Sequence, residues 1–217
     1  MKKLYGIGTG PGDKELLTLK AVKTIEKSSV IFAPNNKGKN MAIDTVKDFI
    51  GDKKVVFIDF PMGQVQKENY KKAAETILKG IPEGEIGSFL TIGDPMVYST
   101  FIYIMEELEG KDIDVEIISG IPSFIAAAGE SKTPITVKGE SFLLCDELEE
   151  SLLKMVDSIA ILKTLKDKEK VLKSLEEQDF SYKYIKRATL EEQEIIMDKE
   201  EILKDKDYIS LIIGRRN

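Results

Sequence analysis

The sequence predicts an α/β fold built as two α/β domains, with a mostly parallel sheet in the N-terminal domain and a mixed sheet in the C-terminal one. Three observations carry this. Short apolar runs alternate with longer segments of helical period through the first half of the chain. Turns containing Gly, Pro or Asp separate them. Past residue 120 the apolar runs crowd together with less helix between them, which favours antiparallel pairing. The boundary is placed between residues 119 and 120, giving domains 1–119 and 120–217.

The elements follow in order. Leu4–Ile7 reads as a first strand. Asp13 then caps a helix carrying Leu16, Leu17, Ala21, Val22 and Ile25 on one face. Val30–Ala33 is a strand stopped by Pro34, Met41–Ile50 a short helix, and Val55–Ile58 a third strand. A helix runs from Val65 to Leu78 and ends at Gly80. Ser88–Ile92 is the fourth strand, Val97–Leu108 the next helix and Val115–Ile118 the fifth strand. Strands alternating with helices in this way form βαβ units. In the second half, Ser123–Gly129 starts a helix of small residues. Phe142–Cys145, Ile159–Lys163, Tyr182–Ala188, Gln193–Met197 and Tyr208–Ile213 read as strands, with helices over Glu147–Val156 and Lys168–Gln178.

Composition narrows the chemistry. The 32 basic and 38 acidic residues leave a net charge of −6, which argues against a general nucleic-acid binder. There is no His, hence no imidazole base, no Ser-His-Asp triad and no His-ligated metal. The single Cys145 excludes an internal disulfide and a CxxC metal site, and fits a reducing cytoplasm. No metal site is expected. No apolar run approaches the ~20 residues that span a bilayer, so no membrane contact is expected either. Met1-Lys2-Lys3 is basic enough to open a signal peptide, but Leu4 to Ile7 give way at once to a Gly/Pro/Asp cluster.

Three motifs stand at strand ends. Gly6-Ile7-Gly8-Thr9-Gly10-Pro11-Gly12-Asp13 follows the first strand. It invites a dinucleotide-loop reading, but the spacing fails. GxGxxG counted from Gly6 ends on Pro11, and counted from Gly8 it ends on Asp13. The second strand also ends without an acid to hold a ribose. The bland alternative is a Gly-rich turn into a capped helix. Thr91-Ile92-Gly93-Asp94-Pro95-Met96-Val97-Tyr98-Ser99-Thr100 lies at the carboxyl end of the fourth strand, where open α/β sheets bind ligands. Gly93 there leaves room for a bulky ligand. Ser119-Gly120-Ile121-Pro122-Ser123-Phe124 precedes a run of alanines, and small residues at a helix start expose backbone N–H groups.

In this order and spacing the chain resembles the tetrapyrrole methylase family, the class III S-adenosylmethionine-dependent methyltransferases. Members typically read GxGPGDxxLLTLKA near the start, matched here from Gly8 to Ala21. They carry a GDP loop after the fourth strand, matched by Gly93-Asp94-Pro95, and a PGVSS-like turn, matched by Ser119 to Ser123. Arg187-Ala188-Thr189-Leu190-Glu191-Glu192-Gln193 is similar to the family's RATxPxQ segment. The match spans nearly the whole chain. Tyr98-Ser99-Thr100-Phe101 after the GDP loop, and Pro34 before a Lys/Gly loop, look like the C20-methylating members that act on precorrin-2 or cobalt-factor II. Ser119-Gly120-Ile121-Pro122 departs from the usual Pro-Gly-Val-Ser, and Leu162 stands where a Met is common.

The resemblance implies a cytoplasmic homodimer whose two α/β domains hold S-adenosylmethionine in the cleft between them and methylate the meso carbon C20 of a tetrapyrrole. By position, Ile92, Gly93, Asp94, Val97, Ser99, Thr100, Ser123 and Phe124 would hold the cofactor, with Leu144, Leu162 and Ala188 contributing from the second domain. Gly8, Gly10, Pro11 and Gly12 would face the substrate. Asp13 or Tyr98 would take the C20 proton. The substrate is a polycarboxylate, so an acidic protein must offer it local cations. Lys37 and Lys39 are the first candidates, Lys132 and Lys138 the next. Competing readings are another class III methylase of a corrin or uroporphyrinogen, a diphthine synthase, a dinucleotide oxidoreductase, and a binding protein without catalysis.

Overall fold

A computed structural model describes residues 1–35, 40–60, 66–164 and 167–217 of the chain. The chain divides into two compact units, Met1–Pro122 and Ser123–Asn217.

The first unit is a five-stranded parallel sheet: β1 (Lys2–Gly8), β2 (Val30–Pro34), β3 (Lys54–Ile58), β4 (Ile86–Thr91) and β5 (Ile113–Ile118), in the order β3-β2-β4-β1-β5. Helices α1 (Leu19–Lys27) and α2 (Met41–Ile50) cover one face, and α3 (Lys67–Gly80) and α4 (Thr100–Leu108) the other. Successive strand residues therefore enter different cores. Phe32 and Phe89 pack with Ala73, Ile77 and Ile104, whereas Ile31 and Leu90 pack with Ala21, Ile25 and Val46. A sheet buried on both faces needs apolar residues at every position, which is why β2 reads as an unbroken apolar run.

Two helix starts differ from the sequence expectation. Asp13 caps only a short 3-10 turn, Lys14–Leu16, by accepting from the Glu15 amide at 2.8 Å. Leu17 is extended, and α1 begins afresh behind Thr18, whose hydroxyl accepts from the Ala21 amide at 3.2 Å. Likewise α4 starts at Thr100 and not at Val97, because Ser99 is the cap and accepts from the Phe101 amide at 3.1 Å.

The second unit holds α5 (Ser123–Glu130), β6 (Phe142–Cys145), a 3-10 turn (Glu150–Met155), β7 (Ser158–Leu162), α6 (Lys168–Glu177), β8 (Phe180–Lys186), β9 (Glu194–Ile196), α7 (Lys199–Lys204) and β10 (Ser210–Arg216). The sheet order is β6-β7-β10-β8-β9, parallel between β6 and β7 and antiparallel elsewhere. The helix expected over Glu147–Val156 is only the 3-10 turn, and Glu149 at its start makes no side-chain cap. Helix α7 leaves no signature in the sequence pattern. It is six residues long and buries only Ile202, so it carries no period to read.

All three arginines of the chain are structural in this unit. Arg187 donates to Asp207 at 2.6 Å, and Arg215 to Glu140 at 2.5 Å. Arg216 lies over the Phe180 ring and donates to the Gln178 carbonyl at 2.8 Å.

Candidate functional site

The carboxyl ends of β1, β4 and β5 meet in the first unit, and the loops leaving them are tied together by backbone. Gly10 and Gly93 exchange hydrogen bonds, Gly10 N–H to the Gly93 carbonyl at 3.2 Å and Gly93 N–H to the Gly10 carbonyl at 2.8 Å. Thr9 is fully buried, and both its amide, at 2.8 Å, and its hydroxyl, at 3.1 Å, donate to the Thr91 carbonyl. Gly8 and Gly120 touch so closely that a Cβ on Gly120 would lie 2.8 Å from the Gly8 Cα and collide with the Gly93 carbonyl. The missing side chains at Gly8 and Gly120 thus allow contact between loops. Gly6 has another purpose: the Phe101 ring occupies the place of its missing Cβ.

Asp94 stands at the centre of this junction and is 9% exposed. One carboxylate oxygen accepts from the Met96 amide at 2.8 Å, and the other from the Gly120 amide at 3.1 Å. Beyond it the loop turns outward. Ile92, Met96 and Tyr98 are exposed, Tyr98 by 45%. Tyr98 holds a left-handed backbone, φ 46°, which is uncommon for a bulky residue and clusters at functional sites. Ser99 returns to the interior, where its hydroxyl meets that of Thr91 at 3.2 Å. Val97 and Thr100 are half-buried.

The glycine loop continues past this junction. Pro11 is buried, and the Gly12 carbonyl accepts from the Thr45 hydroxyl of α2 at 3.2 Å. Asp13 follows as the cap of the 3-10 turn. Lys14 beside it pairs with Asp48 at 2.8 Å. Lys37 and Lys39 lie outside the described residues.

Two of the second-unit candidates, Leu144 and Leu162, share one sheet face. Leu144 is paired with Ala160, and Leu162 two residues further along β7 is paired with Leu211. Cross-strand partners face the same side. Phe142, on that side of β6, stacks on Phe124 of α5 with ring centroids 5.7 Å apart. Phe124, Leu144 and Leu162 are thereby gathered, with Ser123 opening α5 and Ala188 buried just beyond β8. A cavity of about 570 Å³ on the opposite, α6 side is lined by Asp146, Ile161, Lys163, Thr164, Lys170 and Tyr208, and none of the sequence-predicted residues line it. Lys132 and Lys138 are exposed in the segment after α5.

Thr9, Thr91, Met96 and the amide of Gly120 escaped the sequence reading. Met96 had a signal, since it lies inside the GDP motif. Thr9 had a weaker one, as a lone hydroxyl among glycines. Among the described residues, no group of three or more His, Cys, Asp or Glu is placed to hold a metal, and no helix is long and apolar enough to cross a membrane.

Comparison with known proteins gives a consistent answer. The family model for tetrapyrrole (corrin/porphyrin) methylases matches residues 3–203. A "probable cobalt-precorrin-2 C(20)-methyltransferase" of Methanocaldococcus jannaschii is 36% identical over 225 residues, covering 100% of this chain and 97% of the relative. The cobalt-precorrin-2 C(20)-methyltransferase of Salmonella typhimurium is 28% identical over 172 residues, 74% of this chain and 72% of the relative. Among solved structures, a cobalt precorrin-4 methyltransferase superposes with a TM-score of 0.75 at 20% identity, over 98% of this chain and 94% of that one. A uroporphyrin-III C-methyltransferase of Thermus thermophilus, solved with S-adenosylhomocysteine, gives 0.71 at 19% identity, over 98% and 97%. Strand-end loops built for backbone contact, a GDP turn at the carboxyl edge of a parallel sheet and these likenesses agree: the chain belongs to the tetrapyrrole (corrin/porphyrin) methylase family.

Proposed function

We propose that this chain is an S-adenosylmethionine-dependent methyltransferase that methylates the meso carbon C20 of cobalt-factor II or precorrin-2 in cobalamin biosynthesis. The full-length likeness to a relative named for that reaction carries the reading. The junction supports it. Ile92, Met96 and Tyr98 give the carboxyl edge of β4 an apolar wall with one hydroxyl, fitting a nucleoside sulfonium whose charge is lost on reaction.

S-adenosylmethionine, when bound, supplies an electrophilic methyl group. The chain's residues hold and align. Backbone groups of Ile92, Gly93 and Asp94, with Val97, Ser99 and Thr100, form the first unit's share of the cofactor site. Ser123, Phe124, Leu144, Leu162 and Ala188 are the share we assign to the second. The loop Gly8, Gly10, Pro11 and Gly12 faces the macrocycle. Much of the acceleration in such a transfer comes from holding the acceptor carbon in line with the methyl group. Asp13, at the end of the glycine loop, and the Tyr98 hydroxyl are the groups we assign to the C20 proton. With every arginine tied into the second unit, the substrate carboxylates fall to lysines, with Lys37 and Lys39 first. We further propose a cytoplasmic homodimer with its domain boundary at residues 119–120.

The test is direct. The enzyme is incubated with S-adenosylmethionine and either cobalt-factor II or metal-free precorrin-2. A mass gain of one methyl, located at C20 by carbon-13 labelling of the transferred group, is expected on at least one. Label at another carbon would move the chain to a different branch of the family, and no gain on either substrate would sink the reading.

A further inference from the structure

The loop after β4 is held to its neighbours by two devices. One is the reciprocal bridge between Gly10 and Gly93, which ties it to the loop after β1. The other is a side chain. The Asp94 carboxylate reaches from the loop after β4 to the Gly120 amide, 26 residues along the chain and two residues past the end of β5. Its second oxygen takes the Met96 amide and so shapes its own loop, while its backbone carbonyl accepts from the Val97 amide at 3.2 Å.

We propose that the Asp94 carboxylate is a positioning group: it fixes the turn after β5 against the loop after β4 by holding the Gly120 amide. The proposal leaves the Asp94 main chain among the cofactor-site groups and assigns only the carboxylate, and it rests on the methyltransferase reading only for its kinetic readout. Three observations carry it. The carboxylate is almost entirely buried, so it is not displayed to a ligand as Tyr98 or Met96 are. Each of its oxygens is already engaged by a backbone N–H, the partner that satisfies a buried carboxylate. And the backbone at Gly120 packs so closely on Gly8 and Gly93 that any shift of the turn must be taken up by the loops after β1 and β4. The placement also accounts for the motif as a unit. The glycine supplies the bridge, the acid the clamp, and the proline a fixed backbone leading into the turn.

The alternative is that the negative charge of Asp94 contacts the cofactor directly. The two roles part on chemistry. Asn keeps one acceptor oxygen but loses the charge and the second acceptor. A clamp is then half kept, so Asp94→Asn should fall between wild type and Asp94→Ala in kcat/KM. The alanine variant should lose about 10²-fold, the scale on which a small misplacement acts. A charge contact predicts Asn as damaging as Ala.

The second readout is a double-mutant cycle with Gly120→Ala, which disturbs the same contact from the other side. If Asp94 acts through Gly120, the double variant loses no more kcat/KM than the worse single variant; independent losses that multiply overturn the proposal. The third readout needs no turnover and no variant that folds poorly. In the wild-type chain the Gly120 and Met96 amides should be protected from hydrogen exchange, and in Asp94→Asn at least one should exchange about tenfold faster or more. Unprotected amides in wild type would remove the clamp outright. If wild type transferred no methyl group at all, the reaction assignment would fail, while the exchange experiment would still decide the role of Asp94.

Discussion

The carboxyl edges of the two sheets are held by different chemistry. In the first unit the loops after β1, β4 and β5 lock through backbone groups, glycines in contact and one carboxylate on an amide. In the second, long charged side chains hold the turns. Lys168 is buried at the start of α6 and donates to the carbonyls of Ile202, at 2.9 Å, and Asp205, at the end of α7. Its ammonium also lies over the Tyr184 ring, and the Tyr184 hydroxyl donates to Asp205 at 2.7 Å. Lys186 adds a bond to the other Asp205 oxygen at 3.2 Å. Burial lowers the Lys168 pKa and raises that of Tyr184, but each polar head has a partner. A backbone lock has no slack for added atoms. A side-chain lock tolerates shape changes better but depends on charge. Each difference can be broken separately.

The largest effect is expected from adding one carbon to the first lock. In Gly8→Ala the new Cβ meets the Gly93 carbonyl and the Gly120 amide, neither of which is the end of a flexible side chain. The cost is about 3 kcal/mol or more, the upper part of the range for overpacking, and methyl transfer falls with it. Thermal unfolding and turnover per folded enzyme measure both, and an unperturbed variant would mean that the loops are not locked. Next comes Lys168→Met, which keeps the side-chain bulk and removes the ammonium. It leaves the last carbonyls of α7 without their donor and should cost about 2 kcal/mol by urea unfolding. A neutral result would show that water replaces the ammonium.

How much of this was legible follows the same division. The parallel sheet was readable because both faces are buried, and the strands announce themselves as apolar runs between glycine turns. The GDP turn was readable as lying at the carboxyl end of the fourth strand. Two features were hidden for physical reasons. Asp94 bonds to a residue 26 positions away, and no local pattern encodes a carboxylate-to-amide contact at that range. The glycines at 8 and 120 belong to separate motifs along the chain; only their meeting in space shows that they make room for each other. In the second unit α7 was missed because one buried residue in six makes no period. The late strands, in contrast, showed through as crowded apolar runs.

A smaller effect should show in the pH dependence of the second edge. Burial pushes the Asp205 carboxyl up, but the Tyr184 hydroxyl, the Asp207 amide and Lys186 outweigh it and hold the pKa below its ordinary value. A carboxyl depressed in the folded state contributes stability that is fully present above its unfolded pKa and lost as pH falls through the folded one. Wild-type stability should therefore decline in acid below about pH 4, and Asp205→Asn should flatten part of that decline at the cost of lower stability at neutral pH. A urea midpoint measured across an acid series tests this. Parallel curves for the two proteins would mean that Asp205 is not a charged member of the lock.

The smallest expected change uses the single thiol to tell the two units apart. Cys145 is buried at the end of β6 in the second unit, and burial pushes its pKa up to about 11. A thiol so protonated and enclosed reacts slowly with an alkylating reagent at neutral pH, since the thiolate is the nucleophile. Its labelling rate thus reports opening of the second unit. In Gly8→Ala the rate should stay near that of wild type, because the strain falls in the first unit. In Lys168→Met it should rise severalfold as the α6–α7 lock loosens, in the way that local opening controls access to buried groups. Equal acceleration in both variants would mean that the two edges open together, and the contrast drawn between a backbone lock and a side-chain lock would then describe their construction but not their behaviour.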